Sequence, residues 1–263
     1  MRDPNPITDG RGMKKLRAHG IETTVGVMRD EAEAMNRPFI KFITKKMPYV
    51  RIKAAESLDG KIAANSGDSK WITGADSRRF VHRMRAEVDA VMVGANTVVR
   101  DDPRLLSRVP GAKQPLRIVV DSALRTPLTS KLFSTAGNHS VLVATTKRAS
   151  FAKAKMCAKR GISVLFCATR RGKVDLRDML RKLSKLGIVD ILVEGGGELI
   201  AGLIENKLAD KFMFFIAPRI IGGREAKTSV EGAGIDRVKD AVNLKNISIR
   251  RFKEDILVEA EAG

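Results

Sequence analysis

The sequence predicts an α/β fold with a mostly parallel central sheet, helices on both faces and a late antiparallel hairpin. Three observations predict it. From about Tyr49 onward, short apolar runs alternate with stretches of helical periodicity. The last two runs, 247–252 and 256–260, follow each other as a closing pair, which suits antiparallel rather than crossover pairing. With 263 residues, 43% of them hydrophobic, the chain can bury a substantial core in one large domain or one domain with an appendage.

Taken in order, residues 1–46 differ from the rest. "DPNP" and "DGRG" are turn signals, 13–18 fits a short helix, 21–27 a short strand and 30–35 a further helix. A segment of this length is too small for an independent core, so it docks on the main domain, docks on a partner chain or stays mobile. Strands are predicted over 49–55, 90–93, 116–120, 140–144, 162–166, 190–193 and 211–217, before the closing pair. Helices are predicted around 76–87, 149–159, 176–186 and 198–207. In the first of these, Thr73 and Asp76 have capping-box-like spacing, and Phe80, Met84 and Val88 share one face. Arg78, Arg79 and His82 fall on the other, where His82 reads as an exposed helix residue. No internal repeat or low-complexity segment is present.

Composition excludes several classes of function. No run of 18 apolar residues occurs and "MRDPNPITDGRGMKK" lacks an apolar h-region, so the expected setting is cytoplasmic, without a membrane. Cys157 and Cys167 form no CxxC, and with only His19, His82 and His139 beside them no metal site is expected. The cysteines read as buried fillers. Lys plus Arg is 49 against 30 Asp plus Glu, a net charge of +19 that attracts polyanions or a phosphorylated small molecule. The basic residues are scattered, without the dense block or interleaved aromatics of a base-stacking surface, so no specific nucleic-acid partner is expected.

Three stretches carry chemistry. Val193-Glu194-Gly195-Gly196-Gly197-Glu198 runs from an apolar strand through three glycines into a helix. Without Cβ atoms, backbone N–H groups and the helix N-terminus can approach an anion; a plain tight turn is the other reading. The segment matches neither GxGxxG nor a Walker loop. Glu194 stands at a strand's carboxyl end, where open α/β sheets place ligands; it suits a polar heterocycle, ribose hydroxyls, or the N-cap of the next helix. "GANTVVRDDPRLLSR", 94–108, reads as a loop with more polar equipment than a connection needs. The third, "KAAESLDGKIAANSGDSKWITG", 53–74, breaks from a strand into small polar residues and ends near Trp71, the single tryptophan. There is no GxSxG elbow, no Cys–His pair and no HExxH, so the equipment suits a reaction whose hard step belongs to a cofactor.

These stretches, followed in order by "RIVVDS", "ILVEGGGELIAGLIE" and "FFIAPRIIGG", resemble the reductase domain of the bacterial bifunctional riboflavin-biosynthesis deaminase/reductase, over 47–263. The resemblance implies a dihydrofolate-reductase-like fold, NADPH as cofactor, a homodimer, and reduction of the ribosyl side chain of 5-amino-6-(5-phosphoribosylamino)uracil to its ribityl form. It implies substrate contacts for Lys53, Ser69, Arg85, Leu105, Arg108 and Glu194. NADPH contacts fall on Ala55, Trp71, Thr97, Asp101, Ser122 and the run Gly196, Gly197, Glu198, Leu199, Ile200, Ala201 and Gly202. No proton donor stands out; Lys53 and Asp59 are the candidates. Residues 1–46 look like the end of the deaminase domain without its zinc-binding HAE and PCxxC motifs, so no deamination is expected. Glu56 departs from the family, which has a small or apolar residue there. A carboxylate beside the cofactor weakens binding unless Lys53, Lys61 or an outward rotamer compensates. The rival readings are a same-fold reductase of a pterin-like heterocycle, a catalytically silent relative, and a basic nucleic-acid-binding module. The first would reduce a ring; the last would bind oligonucleotides with steep salt dependence.

Overall fold

The computed structural model describes all 263 residues. In chain order the elements are α1 (Arg11–Ala18), α2 (Arg29–Lys45), β1 (Tyr49–Ser57), α3 (Ala75–Glu87), β2 (Ala90–Gly94), α4 (Ala95–Asp101), β3 (Leu116–Val120), α5 (Lys131–Ser134), β4 (Val141–Thr145), α6 (Phe151–Lys159), β5 (Ile162–Phe166), β6 (Thr169–Arg170), β7 (Lys173–Val174), α7 (Leu176–Lys185), β8 (Asp190–Val193), α8 (Gly197–Glu205), β9 (Lys211–Ala217), β10 (Leu244–Phe252) and β11 (Asp255–Ala262). They fall into two compact units: residues 1–49 with 180–189, and residues 50–179 with 190–263. No helix is long and apolar enough to cross a membrane.

The larger unit is built on a nine-stranded sheet in the order β10-β11-β9-β1-β8-β2-β3-β4-β5. β9 runs parallel to β1, β2 is parallel to both β8 and β3, and β4 is parallel to β3 and β5. The exceptions are β11, antiparallel to β9, and its hairpin partner β10. This is the dihydrofolate-reductase-like arrangement that the resemblance implies. All four residues of β8, and Ala90–Val93 of β2, are buried, as a strand covered on both faces must be. Because β2 and β8 are parallel they end together: the Glu194 N–H donates to the Met92 carbonyl (2.9 Å) and the Gly94 N–H to the Gly195 carbonyl (3.3 Å). That convergence sets Glu194 and the glycine turn at the carboxyl ends of central strands, where ligands bind in open sheets.

On one face, α3 presents Val81, Met84 and Val88 to a core that includes Val91, Val93, Val119, Leu192 and Phe215. Phe80 packs against Phe215 and Phe252, with centroids 6.2 Å and 5.0 Å apart. Both cysteines are buried, and they form no disulfide. The cap of α3 differs from the Thr73/Asp76 capping box read from spacing. Its N-cap is Gly74 and no side chain caps it locally. Instead Asp255, at the β10–β11 turn, accepts from the Gly74 N–H (2.7 Å) and the Ser77 hydroxyl (2.5 Å), so a carboxylate distant in sequence does the work of the box. Asp76 pairs with Arg79 and Lys253.

Four further expectations are corrected. Residues 21–27 form no strand, because no other segment pairs with them and Ile21, Val25 and Val27 stay exposed. The helix expected at 30–35 continues to Lys45 through Pro38, despite an intrahelical penalty of about 3 kcal/mol. Helical periodicity resumes after Pro38 with no turn signal until Lys46, whose left-handed φ of 53° and following Pro48 end it. The segment read as one loop over 94–108 begins with α4, since Ala95 and Val98 are buried one turn apart. The small hairpin β6–β7 was not expected at all: two residues per strand carry too little alternation to register.

Candidate functional site

Glu194 and Arg85 form the centre of the candidate site. Arg85 lies on α3 and meets the carboxylate through two parallel bonds, Nε to Oε1 at 2.5 Å and Nη2 to Oε2 at 2.8 Å. The Glu194 side chain is 5% exposed and that of Arg85 16%, so the pair is largely desolvated. Burial opposes ionisation of Glu194, but the charge and hydrogen bonds of Arg85, joined by the charges of Lys53 and His82, together hold the carboxyl below its usual range. The N-cap alternative for Glu194 is thereby excluded, since Gly196 is the N-cap of α8 and makes no side-chain cap bond.

Lys53 of β1 joins this cluster, its Nζ 5.8 Å from the Phe215 centroid. Burial pushes its pKa down, more than the attraction of Glu194 restores it. His82, one turn before Arg85 on α3, is half-buried rather than exposed as its helix position suggested. Its Nδ1 lies 3.2 Å from the Leu106 carbonyl, which also accepts from Arg85 Nη1 at 3.1 Å, so Nδ1 carries the proton. Burial, then the charges of Arg85 and Arg108, lower the His82 pKa. The signal for both partners was available in the i,i+3 spacing of His82 and Arg85. A backbone carbonyl as their common acceptor carries no sequence signature.

The remaining substrate-side residues divide by exposure. Arg108 is exposed and acts on His82 by charge. Leu105 has its side chain in the core and a φ of 55°, so only its backbone is offered to a ligand. Trp71 is 59% exposed, with the Arg78 guanidinium 4.4 Å from its ring centroid and Arg219 donating to its carbonyl at 3.0 Å. Ser69, two residues before it, is half-buried. Asp59 is occupied as a fastener: it accepts from the Ser57 hydroxyl (2.6 Å) and the Ile221 and Gly222 N–H groups (3.0 and 2.7 Å), which bring its pKa to about 2. Such a carboxylate holds no proton to donate near neutrality, which favours Lys53 over Asp59 as the acid.

On the other side of the glycine turn lies a cavity of about 1130 Å³. Gly196 has a left-handed φ of 78°, which is why glycine stands there; a Cβ on it would meet Thr97 Oγ1 only at ordinary contact distance, 3.5 Å. Ser122, Gly196, Glu198, Leu199, Ala201 and Gly202 line the cavity. Gly197 and Ile200 do not: Gly197 is covered by the Glu231 side chain and Ile200 is buried. Ala55, Trp71 and Asp101 also lie off the lining; Ala55 packs on the core, and burial raises the Asp101 pKa. A nine-residue helix opening on two glycines with left-handed or extended freedom, above a cavity of this size, fits the diphosphate of a dinucleotide.

Glu56 is accommodated by neither lysine. It leaves β1 on the face opposite Lys53, three residues away, and Lys61 Nζ is engaged with the Ala226 carbonyl (3.2 Å). Burial raises its pKa, only partly offset by a hydrogen bond from Ser229, and Oε2 is buried with no partner. A carboxyl whose folded pKa is raised favours the folded state below its ordinary value of 4.5, and that stability is lost as pH rises toward the folded pKa. Glu56→Gln is therefore expected to raise the melting temperature at pH 8 and to flatten its decline between pH 4.5 and 8, as a pH series of thermal unfolding scans will show.

The chain matches the family model described as the RibD C-terminal domain over residues 48–258. It is 43% identical over 257 residues to the riboflavin biosynthesis protein RibD of Actinobacillus pleuropneumoniae, covering 98% of this chain and 68% of that one. RibD of Acinetobacter baumannii superposes with a TM-score of 0.86 at 32% identity, over 100% of this chain and 71% of that one. A Thermotoga maritima protein described as a diaminohydroxyphosphoribosylaminopyrimidine deaminase/5-amino-6-(5-phosphoribosylamino)uracil reductase superposes at 0.83 and 32% identity, over 100% and 70%. With the ordered motifs in one sheet and the family model spanning nearly all of it, the chain belongs to the RibD C-terminal domain family.

Proposed function

We propose that this chain is the NADPH-dependent reductase that converts the ribosylamino side chain of 5-amino-6-(5-phosphoribosylamino)uracil to the ribitylamino product. The observation that carries this reading is the desolvated Arg85–Glu194 pair with Lys53 beside it, set across a glycine turn from a dinucleotide-sized cavity. Residues 1–46 are read as the end of a deaminase domain and 47–263 as the reductase domain, with no deaminase step assigned. A homodimer in the cytoplasm is the expected working form, and sedimentation at several concentrations tests the first half of that statement.

The cofactor supplies a hydride when bound; the rest of the chemistry belongs to the protein. Opening the ribose ring requires a proton at its ring oxygen, leaving an iminium at C1′ that becomes the secondary amine on reduction. Lys53, with its lowered pKa, is the acid placed to give that proton. Arg85 and Glu194 hold the pyrimidine by polar contacts made strong by burial, Trp71 and Ser69 border the reacting end, and Arg108 takes the substrate phosphate. Arg108→Ala is expected to raise KM for the phosphorylated substrate roughly 10- to 100-fold with kcat little changed, the loss of one charge-assisted contact. An unchanged KM removes that assignment.

The decisive experiment follows NADPH oxidation at the nicotinamide absorbance with the enzymatically prepared substrate and weighs the product by mass spectrometry. A product heavier by two hydrogens, with the pyrimidine ring intact, is the expected result. Saturable NADPH binding without turnover would move the substrate elsewhere, to a pterin-like ring among others. Failure to bind NADPH at all would overturn the reading.

A further inference from the structure

We infer that Arg78, backed by Arg219, is a positioning residue for the reduction: it holds the Trp71 ring as a fixed wall at the open end of the Arg85–Glu194 site. The inference rests on the reductase reading and adds two arginines to it that no motif assigned.

The phase of α3 places Arg78 for this. Arg78, His82 and Arg85 stand at i, i+4 and i+7, one stripe on one face of the helix. Arg85 ends the stripe against Glu194, His82 meets the Leu106 carbonyl in its middle, and Arg78 lies about 10 Å from Arg85 along the axis, toward the helix N-terminus. Asp76, the one carboxylate in the first turn, is taken by Arg79 and Lys253. That leaves Arg78 to a neutral acceptor and an aromatic face. Its Nη1 donates to the Thr73 carbonyl at 2.5 Å, and its guanidinium lies 4.4 Å from the Trp71 centroid. A guanidinium bonded to a carbonyl keeps its full charge for the indole, and the Thr73 bond fixes the plane on which the ring rests.

The backbone under the ring is held by the second arginine. Arg219 Nη1 donates to the Trp71 carbonyl at 3.0 Å, and the Arg219 carbonyl accepts the Leu58 N–H at 2.8 Å. With Asp59 accepting from the Ile221 and Gly222 N–H groups, residues 58–71 are tied at both ends to the stretch after β9. These bonds place the Trp71 backbone but not its side chain. With 59% of Trp71 exposed, core packing does not orient the ring either, so its orientation falls to the stack on Arg78. The guanidinium covers one indole face and leaves the opposite face open to a flat ligand ring. A ring already held in place needs no ordering when that ligand arrives, and a small misplacement of such a wall is costly to the rate.

The test uses the full chain. Trp71 is its only tryptophan, so intrinsic emission reports this ring alone. Wild type, R78Q, R78K, the control R79Q, W71A and W71A/R78Q are compared for thermal transition, NADPH affinity, kcat and KM. Those that keep the indole are also compared for emission anisotropy and for energy transfer from the indole to bound NADPH. R78Q is expected to lower the anisotropy, to cut the energy transfer at saturating NADPH roughly twofold and to lower kcat about 10-fold, while the thermal transition and NADPH affinity hold. R78K keeps the charge without the planar fork and is expected to fall between R78Q and wild type in all three. R79Q is expected to behave as wild type. In the W71A background, R78Q is expected to change kcat by less than about twofold, since an arginine that acts through the indole has nothing left to position. Equal kcat losses in the two backgrounds, or an R78Q whose anisotropy and energy transfer match wild type, would overturn the inference and leave the reductase reading standing. A wild type that binds no NADPH overturns the reductase reading and the inference with it, an outcome read before any variant is compared.

Discussion

Glu194→Ala is expected to lower the unfolding free energy by about 3–5 kcal/mol and to abolish measurable turnover. The pair it breaks is bidentate and nearly dry, so the Arg85 guanidinium would be left buried with no counter-charge and with Lys53 as a like-charged neighbour. The Leu106 carbonyl cannot compensate, since a neutral dipole shared with His82 replaces a full negative charge poorly. Stability and activity separate in the double variant Arg85→Met/Glu194→Leu. Apolar side chains of similar volume restore most of the lost stability, because the desolvation of two charges goes with them. They restore no activity, because the polar contacts for the substrate are gone. Urea unfolding of the three proteins, with turnover measured on each, checks both halves. If the double variant regained turnover, the pair would be structural only.

The same pair has an acid signature. The folded pKa of Glu194 lies below its ordinary value of 4.5, so its contribution is present above that value and is lost as pH falls through the folded pKa. Wild-type stability should therefore decline more steeply with acidification below about pH 4.5 than that of Arg85→Met/Glu194→Leu.

Strands buried on both faces were legible because their signal is local: 190–193 and 211–217 are apolar runs bounded by polar turns, and they are strands with those bounds. The longer helices α3, α6 and α8 of the larger unit were legible from their periodicity, whereas the short α4 and α5 were not. What failed was whatever depended on a distant partner. The α3 cap comes from Asp255, and the Arg85 and His82 acceptor is a carbonyl more than twenty residues away. Burial of charge was equally invisible. Arg117 reads as one more basic residue of a +19 chain, yet it is fully buried and donates to Thr135 and to the Arg104 and His139 carbonyls. Its pKa falls to about 10 by burial. For the site, the resemblance supplied residues without geometry. Arg85, Glu194 and Lys53 converge, whereas Ile200 and Gly197 are on the right helix but turned away from the cavity, a distinction that needs the helix phase and the position of Glu231.

Lys53→Met is expected to lower kcat by about 10²- to 10⁴-fold while leaving NADPH affinity within about twofold of wild type. The amine lies on the face of β1 that meets Phe215 of β9 and the Arg85–Glu194 pair, and Lys53 does not line the cavity. Burial lowers its pKa from the ordinary 10.5, which makes the ammonium a stronger acid than a surface lysine and brings it nearer to the pH at which it must give up a proton. The rate carried by that ammonium should fall as pH rises through the folded pKa, so the alkaline limb of the kcat profile lies below 10.5. Lys53→Arg discriminates acid catalysis from simple charge. It keeps the positive charge beside Glu194 but holds its proton throughout the accessible range, so kcat should stay low and the limb should disappear. Stability moves the opposite way to activity. A buried amine with a depressed pKa disfavours the folded state below that pKa, and stability recovers only as pH rises from there toward 10.5. Lys53→Met should therefore be at least as stable as wild type at pH 7, and a fall in kcat without a fall in melting temperature is a result that a purely structural lysine would not give.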